Sequence, residues 1–133
     1  MQCAKIRRAV VVALLFLSAP VFADQAACDA IRAANMKSGS KGVSMQSTGY
    51  AFAKDTPELY GSGTQTCEQT SDETIDGQAA VVYREQYKSD IGTSDAKIWI
   101  SKSTGLLIRE EQDGDIAGKG KGHITYRWPL NQP

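Results

Sequence analysis

The segment Lys97–Gln112 restricts the fold more than any other part of the chain. Two strand-like stretches, Lys97–Ser101 and Leu106–Gln112, flank Lys102-Ser103-Thr104-Gly105. A glycine at the end of such a link supplies the left-handed residue that closes a short β-hairpin. A type I turn with Gly105 left-handed pairs Lys102 with Leu106. Pairing then runs Ser101 with Leu107, Ile100 with Ile108, Trp99 with Arg109, Ile98 with Glu110 and Lys97 with Glu111. In that register Ile98, Ile100 and Ile108 share one face, and Trp99, Leu107 and Arg109 the other. Trp99 and Arg109 form a cross-strand cation–π pair, and Lys97 and Glu111 a weak exposed ion pair. Both faces carry apolar side chains, and one helix covers only one of them. The other must curl on itself, dimerise or hold an apolar ligand.

The rest of the chain supplies more strands and one helix. Asp76-Gly77 is a two-residue hairpin signal. It joins the polar, Thr-rich stretch Thr64–Ile75, suited to an exposed or edge strand, to Ala79–Tyr87. In Ala79–Tyr87, Val81, Tyr83 and Tyr87 alternate with Ala80 and Val82. Val43–Ala53, with Tyr50 and Phe52 on one side, and Gly122–Trp128 add two strands. Asp55–Gly63, Ser89–Ser94 and the glycine-rich Asp113–Lys121 read as connections. Asp24–Lys37 is alanine-rich, with Asp24 as N-cap and Cys28, Ile31 and Ala34 on one face; Ser38–Gly42 ends it. The expected fold is α+β: an N-terminal helix packed on a curved, half-barrel-like antiparallel sheet of about six strands.

Lys97-Ile98-Trp99-Ile100-Ser101-Lys102-Ser103-Thr104-Gly105-Leu106-Leu107-Ile108-Arg109 resembles the strand–turn–strand of periplasmic lipoprotein-carrier domains and related lipid-binding lipoproteins. Ile75-Asp76-Gly77-Gln78-Ala79-Ala80-Val81-Val82-Tyr83 is similar to the hairpin that commonly precedes it in those proteins and in many small periplasmic relatives. The resemblance covers about a third of the chain. It implies a curved antiparallel sheet with helical cover and an apolar concave face.

The first residues point to export. Lys5, Arg7 and Arg8 precede the apolar run Ala9–Leu17, Pro20 breaks it, and Val21-Phe22-Ala23 offers small residues for a signal peptidase. This is the layout of a cleaved secretory signal, and the run is shorter than the roughly 20 apolar residues that span a bilayer. Cleavage after Ala23 takes 23 of 133 residues and leaves a single domain, 24–133, without a transmembrane segment. The leader carries three of the 15 basic residues and none of the 15 acidic ones, so the mature charge is −3. That charge argues against nucleic acid. Cys3 goes with the leader, and Cys28 and Cys67 remain as a disulfide pair in an oxidising compartment. Gln25-Ala26-Ala27 before Cys28 is a poor lipidation signal, because Gln stands three positions ahead of the cysteine.

Catalytic chemistry is sparse. His123 is the single histidine, without ligand-spaced partners, so it reads as a surface residue. Gly118-Lys119-Gly120-Lys121-Gly122 lacks phosphate-loop spacing and reads as a flexible basic turn. Asp113-Gly114-Asp115 reads as a β-turn. Glu110 and Glu111 point to opposite faces of a strand, so they do not work together as acid and base; Glu110 falls beside Ile98 on the apolar face, which puts it either at the sheet's end, as its charge favours, or inward and functional. The expectation is no enzyme, no cofactor and no metal. In its place stands a small periplasmic or secreted binding protein for an apolar or lipid-like ligand. Val81, Tyr83, Ile98, Ile100, Ile108, Tyr126 and Trp128 would line its site. The alternative is a protein-interaction, envelope-structural or inhibitor module, binding a partner or a second copy. It would use a sheet edge or an apolar patch anchored by Trp99, Leu107, Tyr50 and Phe52.

Overall fold

A computed structural model describes residues 21–49 and 63–130. These hold one helix, α1 (Val21–Ser38), and six strands: β1 (Ser44–Gly49), β2 (Thr64–Ile75), β3 (Gln78–Ser89), β4 (Gly92–Ser101), β5 (Leu107–Ile116) and β6 (Gly120–Arg127). The strands form one antiparallel sheet in the order β1-β6-β5-β4-β3-β2. The α+β fold read from the sequence, a helix on a curved antiparallel sheet, is therefore the fold adopted. Tyr50, Phe52, most of the Asp55–Gly63 connection and residues 1–20 of the leader lie outside the described residues.

The polar stretch Thr64–Ile75 is β2, at the end of the sheet order. Asp76 and Gly77 adopt φ of 51° and 76°, the two left-handed residues that a type I′ turn needs. Two expected connections turn out to be largely strand. β3 and β4 are joined through Asp90-Ile91 alone, and Asp113-Gly114-Asp115 lies within β5 rather than in a turn. The glycines misled the reading because here they permit close approach instead of breaking strands. A Cβ on Gly92 would sit 2.4 Å from the Asp115 carbonyl oxygen, so only glycine fits at that point of the β4–β5 ladder.

The β4–β5 hairpin combines two departures that cancel. Ser101 N–H donates to Leu106 O at 2.8 Å, and Gly105 N–H to Ser101 O at 2.9 Å, with Gly105 left-handed at φ 71°. Lys102 therefore lies in the loop instead of pairing with Leu106, and Ile100 faces Leu107. A β-bulge at Ile108 then restores the expected register, so Trp99 faces Arg109, Ile98 faces Glu110 and Lys97 faces Glu111. The extra residue moves Ile108 to the side opposite Ile98 and Ile100. Leu107 joins Ile98 and Ile100 under α1, while Ile108 packs with Ala80, Val82 and Trp99. Both apolar residues are thereby buried, each on its own face.

α1 begins at Val21, so Asp24 is a helical residue and not its cap. Ala27, Ile31 and Ala34, at i, i+4 and i+7, bury one face against Cys67, Ala96, Ile98, Ile100 and Leu107. The Cys28–Cys67 disulfide, with Cα atoms 5.2 Å apart, ties the helix to β2. At the other end Ser38 Oγ accepts from Leu107 N–H at 2.7 Å, and Gly39 O accepts from the Trp128 indole at 3.1 Å. Lys37 donates to the Thr104 carbonyl. The helix is thus held at both ends, covalently near its start and by hydrogen bonds at its finish.

Candidate functional site

Strand alternation divides the expected ligand-lining residues between two sides. Ile98 and Ile100 lie in the core beneath α1, with Tyr83 and Trp128 packed on its margin. Val81 faces Ile100 across β3–β4, and Tyr126 shares a row with Glu110 and Ile98, which puts both on the helix side. Ile108 stands on the reverse side and cannot join them. The other expected anchors, Trp99 and Leu107, are only 5% and 1% exposed, so neither is a surface contact.

The helix-free side carries the open features. A groove of about 860 Å³ crosses it, with Thr64, Thr66, Lys88, Thr93, Asp95 and Asp115 among its walls. Gln86, Asp95 and Asp113 also line it, and they stand in register with His123, a wall of the adjoining hollow, across β3, β4, β5 and β6. Arg84 grips Asp95 through Nε at 2.9 Å and Nη2 at 2.5 Å, and Gln86 Nε2 adds a bond at 3.3 Å. The Arg84 guanidinium holds the Asp95 carboxyl below the usual carboxylate range, and Gln86 adds to the effect. His123 Nδ1 meets Asp113 Oδ1 at 2.7 Å, and its Nε2 meets Thr125 Oγ1 at 3.2 Å. His123 is thus a surface residue, its side chain 42% exposed, but one with partners on both ring nitrogens. A second hollow of about 570 Å³ adjoins the groove and shares Asp95 and Asp113 with it.

Beside the groove the face is pinned by Trp99. Lys97 Nζ lies 4.6 Å and Arg109 Cζ 5.6 Å from its ring centroid, so the expected Trp99–Arg109 stacking is present with a second cation. Lys97 pairs with Glu73 at 3.1 Å and Arg109 with Glu111. The expected Lys97–Glu111 pair is thus replaced: the residues are opposite in register, but each has a partner elsewhere. The Trp99 indole and then Lys97 hold the Glu73 carboxyl below its ordinary value.

On the helix side, Glu110 stands between Ile98 and Tyr126 in mid-strand, not at the sheet's end. Desolvation, with the Glu85 charge adding to it, pushes its carboxyl up to about 7.

Sequence reasoning missed the Gln86–Asp95–Asp113–His123 row. Its signal was present in Thr93-x-Asp95-x-Lys97, whose polar members alternate with the small Ser94 and Ala96, and was blurred in Arg84-x-Gln86-x-Lys88 by the charged Glu85 between the first two. Among the described residues no group of three or more His, Cys, Asp or Glu is placed to hold a metal ion, and no helix is long and apolar enough to cross a membrane. What the groove offers is a floor of hydroxyl, carboxamide, carboxylate and ammonium groups, suited to a ligand recognised by hydrogen bonds and charge. No family model, curated protein or solved structure matches the chain.

Proposed function

We propose that the chain is a non-catalytic binding module of the cell envelope, and that it takes a polar ligand on the helix-free side of its sheet. The observation that carries this reading is the groove of about 860 Å³ with its walls of Thr, Lys and Asp side chains. Small-molecule sites are concave and carry a few convergent polar groups. The apolar alternative uses the helix side, where Ile98 is 1% and Ile100 8% exposed. A ligand there would have to displace a helix held by a disulfide and by the Ser38 and Gly39 contacts.

A non-catalytic role is supported by the setting of Thr125, His123 and Asp113. A hydroxyl–imidazole–carboxylate chain does acyl chemistry when backbone N–H groups stand free to receive an oxyanion. β6 is flanked by β1 and β5, so the backbone around Thr125 is engaged in ladders on both sides. The leader-like Met1–Ala23 and the Cys28–Cys67 bridge support a periplasmic or secreted location with cleavage after Ala23. A second reading, strand addition by a protein partner or another copy, draws support from β2, which ends the sheet order and exposes most of its side chains.

Calorimetric titration of the full chain tests the ligand class. The panel holds free amino acids, short oligosaccharides and nucleotides, with laurate as the apolar comparison. Each is repeated with Thr93→Trp, whose indole fills the groove. Saturable binding of a polar member, lost in Thr93→Trp, is the expected result. Laurate binding alone, unchanged in the variant, contradicts it.

A further inference from the structure

Where β1 meets β6, Ser44, Gln46, Thr125 and Arg127 line a separate pocket of about 290 Å³. They form two cross-strand pairs, Ser44 with Arg127 and Gln46 with Thr125, so the four side chains make a two-by-two block on the helix-free side. The block offers two hydroxyls, a carboxamide and a guanidinium, all of them hydrogen-bond donors, and no carboxylate. Arg127 also stands directly opposite Arg109. Like charges facing each other across a ladder are unfavourable. Arg109 is offset by Glu111 and stacked on Trp99. No carboxylate among the described residues pairs with Arg127.

We propose that this pocket binds a tetrahedral oxyanion of the phosphate or sulfate class between Arg127, Ser44, Gln46 and Thr125. Thr125 Oγ1 is itself held 3.2 Å from His123 Nε2, so the Arg127 guanidinium, the Ser44 hydroxyl and the Gln46 carboxamide are the anion's principal donors.

Sulfate is the probe, titrated calorimetrically into the full chain at low ionic strength, with inorganic phosphate as competitor. Binding is expected to be saturable. Arg127→Gln should abolish it, and Thr93→Trp should leave it intact. Near-UV circular dichroism checks that each variant is folded. Absence of saturable binding, or binding unchanged in Arg127→Gln, overturns the site, whether or not the groove ligand is found. Association with phosphatidylglycerol vesicles that sulfate does not compete away overturns the small-anion assignment.

Discussion

The Trp99 indole N–H donates to Glu73 Oε2 at 2.6 Å, joining β4 to β2 over the intervening β3. The small Ala80 and Val82 beneath leave room for this reach, and both are fully buried by it and its neighbours. The face without a helix is thus closed over an aromatic ring clamped by Lys97, Arg109 and Glu73.

Trp99→Ala is therefore expected to cost about 3–5 kcal/mol, the range for emptying a large buried site. Trp99→Phe should cost less than Trp99→Ala, since it keeps an aromatic ring in the site while removing the indole donor to Glu73 and part of the ring volume. The lowered Glu73 carboxyl fixes the pH window. A depressed carboxyl contributes stability above its ordinary value of 4.5, and that contribution is lost as pH falls through the folded-state value. Urea melts of wild type and Glu73→Gln should differ at neutral pH and converge in acid.

Glu110 works in the opposite sense. Its carboxyl titrates near 7 when folded against an ordinary 4.5. The folded chain then holds a proton that the unfolded chain has lost, so stability is full below pH 4.5, declines as pH rises and levels off above 7. The difference corresponds to about 3 kcal/mol as an order of magnitude. Glu110→Gln should match wild type in urea melts at pH 4 and exceed it at pH 8.

The Cys28–Cys67 bridge spans a sequence separation of 39. A closed loop of that length is worth up to about 4 kcal/mol in the chain-entropy picture, a large share of what a domain this size retains. Denaturant melts with and without a phosphine reductant should show that loss, and a Cys28→Ala/Cys67→Ala chain should melt like the reduced one.

Gly77 sits at φ 76° with open space around the position of a Cβ. Gly77→Ala should thus cost about 1–2 kcal/mol from backbone conformation alone, with no steric contribution. Asp76→Asn, compatible with the left-handed residue at φ 51°, should be close to neutral; urea melts of both variants check this.

Local signals carried much of the fold. Asp76-Gly77 and Gly105 placed two hairpins, and the Thr-rich composition of Thr64–Ile75 placed an edge strand with its bounds. Pairings from Trp99–Arg109 to Lys97–Glu111 match the expected ones because the bulge offsets the one-residue shift of the turn, not because the turn has the expected form. The bulge at Ile108 was not legible. It depends on Leu107 having a helix to pack beneath and Ile108 having Trp99 beside it, which are tertiary facts. The same limit hid the groove. Apolar alternation drew attention to Val81, Ile98 and Ile100, which the helix covers, whereas the Asp95–Asp113 pairing needs the register of strands whose glycines read as breakers.

The most direct test of which side of the sheet serves binding is a methyl-resolved NMR titration with the polar ligand that the calorimetric panel identifies. Thr64, Thr66 and Thr93 report the groove, while Ile98 and Ile100 report the helix side. Saturable shifts of the three threonine methyls, with the two isoleucines unmoved, are the expected result. Shifts confined to Ile98 and Ile100 would contradict it and return the binding surface to the face beneath α1.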